Sequence, residues 1–131
     1  MALQVVIMAG GKGERLWPVS SAEKPKQLIA FEGDKSLLRV TFERSLDIAP
    51  PGNIYVVTSA DLAGKVAQEL PELPAENVLA EPVGRNTAPC IGYAAIVISR
   101  KDPEAVMAVF PSDHLIRQPE KLKETVLFGA R

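Results

Sequence analysis

The chain has 131 residues, 47% hydrophobic and 24% charged, and 15 Lys and Arg against 16 Asp and Glu give a formal net charge of -1. That length suffices for one domain with a real core and is short for two. The near-neutral balance argues against nucleic acid as a partner, since dedicated binders carry a large basic excess, and no apolar run is long enough to span a bilayer.

In chain order, Gln4 to Ala9 reads as a strand that is apolar almost throughout, as expected when both faces of a parallel sheet are covered. A glycine-rich loop follows directly. Ser36 is placed to N-cap a helix over Leu37 to Ile48, with Leu37, Leu38, Thr41, Phe42, Ser45 and Ile48 near one face and Pro50-Pro51-Gly52 as its stop. Asn53 to Thr58 is a second strand. A helix opening at Ser59 to Asp61 runs to about Leu70 and ends at Pro71. Asn77 to Ala80 is a short third strand. Thr87 is expected to cap a helix from about Ala88 to Arg100, with Pro89 in its first turn. Ala105 to Phe110 is a fourth strand, and Pro119 opens a last helix toward Ala130.

Strands alternating with helices imply a parallel sheet with crossover helices, hence a Rossmann-like, doubly wound α/β fold. One domain covers residues 1–131. The pattern ends inside a helix, so a fragment of a longer domain is expected. The N-terminus lacks the basic and long apolar segments of a signal peptide, and a cytoplasmic location is the default expectation.

Some chemistry is excluded outright. Cys90 is the only cysteine, so there is neither an intrachain disulfide nor a four-cysteine zinc site. His114 is the only histidine, so a two-histidine HExxH zinc site is impossible, and a Ser-His-Asp triad would have to use His114 as its base. Cys90 lies in an apolar helical segment and reads as a buried core thiol.

The loop Ala9-Gly10-Gly11-Lys12-Gly13-Glu14-Arg15-Leu16-Trp17-Pro18 leaves the carboxyl end of the first strand, where ligands bind in open α/β sheets. Gly10, Gly11 and Gly13 allow positive φ and let successive N–H groups turn toward a phosphate. Leu16 stands where a dinucleotide fingerprint needs its third glycine, and Lys12 is followed by Gly13 instead of the Ser or Thr of a Walker loop. Between Gly10 and Gln27, four cations (Lys12, Arg15, Lys24, Lys26) face two carboxylates (Glu14, Glu23), in a chain that is slightly acidic overall. Arg15 can fork two phosphate oxygens, and Pro25 restricts the backbone that aims Lys26. Lys12 and Lys24 read as solvated surface charges.

Three segments then match a known family. Ala9-Gly10-Gly11-Lys12-Gly13-Glu14-Arg15-Leu16-Trp17-Pro18-Val19-Ser20 with Lys24-Pro25-Lys26-Gln27 resembles the GGxGxRLWPxS…PKQ signature of mannose-1-phosphate guanylyltransferases. Glu81-Pro82-Val83-Gly84-Arg85-Asn86-Thr87-Ala88-Pro89 and Phe110-Pro111-Ser112-Asp113-His114 are similar to that family's later E-P-x-x-R-N-T-A-P and x-P-[AS]-D-H segments. The looser form of the first motif belongs to sugar-nucleotide transferases in general. Trp17, Gln27 and the RNTAP segment narrow it to the guanylyl type.

The resemblance implies transfer of GMP from GTP to mannose 1-phosphate, giving GDP-mannose and pyrophosphate. It implies Mg2+ as the cofactor and covers only the nucleotide-binding half of the catalytic domain. The attacking group is already an anionic phosphate oxygen, so no protein nucleophile is needed, and positioning and charge neutralisation carry the catalysis. Arg15 and Lys26 are the catalytic cations by this resemblance, and Ala9, Gly10, Gly11 and Gly13 the nucleotide turn. Glu81, Asn86 and Thr87 surround the base, although Asn86 and Thr87 would equally serve as helix caps. Asp113 is the metal ligand, with a turn aspartate as the alternative. Arg85 is read equally well as a phosphate contact or an exposed loop arginine, and His114 as a ligand contact or a hydrogen-bonded structural histidine. Another sugar-1-phosphate nucleotidyltransferase, or a GTP-binding fragment without turnover, remains the alternative, and homo-oligomer formation is left open.

Overall fold

The computed structural model describes residues 2–10, 30–32, 35–84 and 86–131. Four parallel strands form the main sheet: β1 (Leu3–Met8), β4 (Ile54–Ser59), β5 (Val78–Glu81) and β6 (Val106–Pro111), in the order β5-β4-β1-β6. A small antiparallel hairpin, β2 (Ala30–Glu32) with β3 (Lys35–Ser36), precedes the first helix. It is absent from the pattern-based reading because segments of three and two residues are too short to show a period. The helices are α1 (Leu37–Leu46), α2 (Ala63–Glu69), α3 (Thr87–Lys101) and α4 (Pro119–Gly129). The expected α/β alternation stands, with element ends shifted by a few residues.

Local chemistry explains the boundaries. Ser36 caps α1 as expected: its Oγ accepts from the Arg39 N–H at 3.0 Å and donates to Glu69 Oε1 at 2.6 Å, tying α1 to α2. Asn77 is buried before β5, and its Nδ2 donates to the carbonyls of Gly52 and Ile54, locking the start of β4 to that of β5. One cap is corrected. Thr87 is the first helical residue of α3, and Asn86 holds the N-cap position at φ 71° and ψ −163° without a side-chain capping bond.

Alternate residues of the strands serve two cores. Val5 and Ile7 of β1 with Ile54 and Val56 of β4 meet Leu38 and Phe42 of α1 and Val66 and Leu70 at α2. Val6, Tyr55, Val57 and Leu79 face Cys90, Ala94 and Ile98 of α3 on the other side. This two-sided burial is why the central strands lack polar alternation. Cys90 is buried as expected. Among the described residues no helix is long and apolar enough to cross a membrane.

The register decides where the loops emerge. Met8 lies opposite Val57 on one side and Pro111 on the other, and Ser59 lies opposite Glu81. All four strands therefore finish at one edge. The strand order continues from β1 toward β4 and β5 on one side, and β6 takes the other side. The carboxyl end of β1 is thus the topological switch point, the usual ligand crevice of open α/β sheets.

Candidate functional site

Ala9 and Gly10 leave β1 at this switch point. Ala9 is fully buried, its N–H donates to the Val57 carbonyl at 2.8 Å, and its own carbonyl accepts from Thr58 Oγ1 at 2.9 Å. The Ala9 N–H is thereby turned into the sheet, so Ala9 shapes the turn through its backbone. Gly10 is the first exposed residue after it.

The expected positive φ is corrected at Gly10, whose φ lies outside the left-handed range. Among the described residues, a Cβ there would approach only Glu81 Oε1, at 3.9 Å, an ordinary contact. The described residues thus leave room for a methyl group at Gly10. Gly11, Gly13, Arg15 and Lys26 lie outside the described residues, as does Arg85.

Glu81 is the last residue of β5, one position earlier than a loop residue after the strand. It is buried, and its carbonyl accepts from the Ala60 N–H at 3.0 Å, which fixes the end of β5 against the turn after β4. Its carboxylate lies near both Gly10 and Cys90. Burial, with the Glu81 charge as the smaller cause, pushes the Cys90 thiol up to about 11. Cys90 is therefore a protonated packing residue, not a nucleophile.

Asn86 and Thr87 are both exposed at the first turn of α3. The φ/ψ pair of Asn86 falls in a region that costs a non-glycine residue on the order of 1–3 kcal/mol. In that conformation Asn86 makes no side-chain capping bond.

On the far side of the switch point, the Ser112 N–H donates to the Met8 carbonyl at 3.2 Å and pins the end of β6 to β1. Asp113 follows, partly buried, with Nε2 of the exposed His114 3.8 Å from its Oδ1. Among the described residues no group of three or more His, Cys, Asp and Glu side chains gathers at one point. The described residues therefore do not form a self-contained metal cage. One carboxylate at this edge does fit Mg2+, which commonly takes one or two protein carboxylates and fills its shell with phosphate oxygens and water.

The fold thus brings Ala9, Gly10, Glu81 and Asp113 to a single edge, with Asn86 and Thr87 in the segment leaving Glu81. Sequence reading missed Thr58. Its signal was available: a hydroxyl at the carboxyl end of an otherwise apolar strand needs a partner once buried.

Comparisons with known proteins bear on the family and the fold. A family model described as nucleotidyl transferase matches residues 4–129. The xanthan biosynthesis protein XanB of Xanthomonas campestris pv. campestris is 37% identical over 127 residues, covering 95% of this chain and 27% of that protein. A mannose-1-phosphate guanylyltransferase of Escherichia coli K12 is 37% identical over 128 residues, with the same shares, 95% and 27%. A crystal structure described as mannose-1-phosphate geranyltransferase from Thermus thermophilus superposes with a TM-score of 0.83 at 33% identity, covering 98% of this chain and 37% of that one. The chain thus spans about a quarter of the length of the curated relatives it matches.

Proposed function

The chain belongs to the nucleotidyl transferase family, and from that premise we propose that it forms the nucleotide-binding part of a mannose-1-phosphate guanylyltransferase. The reaction is transfer of GMP from GTP to mannose 1-phosphate. A phosphate oxygen of the sugar phosphate bonds to the α-phosphorus of GTP, the bond from that phosphorus to the β-bridging oxygen breaks, and pyrophosphate leaves. One observation carries the reading most: the exposed Gly10 peptide, with room above it and the buried Glu81 carboxylate beside it, sits at the switch point of the sheet.

Each residue has a part in this reading. Gly10, with Gly11 and Gly13, lets the triphosphate approach the backbone closely. Arg15 and Lys26 neutralise the charge that two phosphate groups bring together, the main obstacle to such a transfer. Glu81 accepts from the N1–H and 2-amino group of guanine, and Asn86 and Thr87 complete the base pocket. Asp113 would hold Mg2+, which would supply further charge neutralisation at the phosphates.

The chain's share of its relatives divides the proposal. Transfer is proposed for a protein of the relatives' length, working in the cytoplasm, and for these 131 residues alone the proposal is capture of GTP with Mg2+. Turnover by the longer protein, tested against a panel of nucleoside triphosphates and sugar 1-phosphates, decides it. GTP with mannose 1-phosphate is expected to give the highest kcat/KM. Preference for another pair would move the assignment to a different sugar nucleotidyltransferase.

A further inference from the structure

We propose that Thr58 is a positioning residue of the nucleotide site, its hydroxyl fixing the backbone from which the glycine turn departs; this rests on the nucleotide reading above. Thr58 is fully buried near the carboxyl end of β4, a strand whose other central residues are Tyr55, Val56 and Val57. Valine would fill the same space and suits a buried strand equally well. What threonine adds is a hydroxyl, and a buried hydroxyl is costly without a partner. The partner is the Ala9 carbonyl, 49 residues away in sequence and 2.9 Å away in space.

The neighbouring bond makes this a clamp. Val57 accepts from the Ala9 N–H at 2.8 Å, while Thr58 donates to the Ala9 carbonyl. Two consecutive residues of β4 thus hold both polar groups of Ala9. The next residue is Gly10, exposed and beside Glu81. The orientation of the Ala9 carbonyl sets the plane of the peptide that carries the Gly10 N–H. Phosphate capture by backbone donors depends on that orientation, because a donor must already point at the ligand. Thr58 touches no ligand itself and acts through Ala9.

The test compares Thr58→Val, Thr58→Ser and the control Thr41→Val with the unsubstituted chain. Thr41 is just as buried, but its hydroxyl bonds the Leu37 carbonyl within α1, away from the sheet edge. The first measurement is amide hydrogen exchange at Ala9 and Gly10, without ligand. Thr58→Val should speed it about five- to tenfold, the size set by one net hydrogen bond, while Thr58→Ser and Thr41→Val stay near the unsubstituted rate. The second is GTP affinity with Mg2+, expected to weaken by a similar factor in Thr58→Val only. Unchanged exchange in Thr58→Val overturns the clamp whether or not GTP binds. Equal loss in Thr58→Val and Thr58→Ser overturns it as well, since packing and not the hydroxyl would then matter. If the unsubstituted chain binds no GTP, the nucleotide reading fails, and the positioning role fails with it.

Discussion

Replacing Gly10 by alanine separates a glycine kept for the fold from one kept for a ligand. The added methyl group meets, among the described residues, only Glu81 Oε1 at 3.9 Å, and the Gly10 φ is one that alanine adopts. Folding should therefore gain from the change. Alanine restricts the unfolded chain more than glycine, a stabilisation of about 0.4–1 kcal/mol at a compatible site. For a chain of this length that raises Tm by about 1–5 °C. Binding should move in the opposite direction. A charge-assisted hydrogen bond to phosphate is worth about 1.5–3 kcal/mol, and a methyl group standing where the phosphate approaches forfeits much of it. GTP affinity in the presence of Mg2+ should fall by about ten- to a hundredfold. Thermal unfolding and calorimetric titration of the same preparations give both numbers. Unchanged GTP affinity in a stabilised Gly10→Ala would refute a phosphate at this turn. A loss of stability would refute the steric argument itself.

The other expectations concern charge. Arg15→Ala and Lys26→Ala should each lower kcat/KM of the longer enzyme by about one to two orders of magnitude, with normal kinetics in both removing them from the phosphate site. Asp113→Asn should cut activity sharply and raise the Mg2+ concentration needed for half-maximal rate; an unshifted Mg2+ dependence would leave Asp113 as a turn residue only. Cys90 should resist thiol reagents at pH 8 in the folded chain, where burial keeps its thiol protonated, and react readily after unfolding. Its folded pKa is raised, so its contribution to stability is complete below the ordinary thiol value of 9.0 and is lost as pH rises toward about 11. Cys90→Ala should flatten that alkaline decline in urea titrations, and rapid native-state labelling at pH 8 would contradict the burial argument.

Much of this protein was legible in its residues. The apolar runs Val5–Ala9 and Ile54–Val57 and the capping serine at position 36 carry their signals locally, within one turn or one strand. The end of β1 was legible too, because a strand running into Gly10 names both an element and the edge where it ends. The lone Cys90 and the lone His114 removed whole classes of chemistry by count alone.

Position in space was decided elsewhere. No local pattern says that β1 lies between β4 and β6, or that Glu81 ends its strand under Gly10. Those facts depend on register between segments some 50 to 100 residues apart, which is set by how two cores pack on opposite faces of one sheet. The same holds for Asn86, whose unusual backbone replaces the cap that Thr87 was expected to provide. It holds for Thr58 above all. In sequence it is one more β-branched residue in a strand, fit for any sheet. Only pairing of β4 with β1 sets its hydroxyl against the Ala9 carbonyl, because a buried donor takes the acceptor that the tertiary register puts within reach.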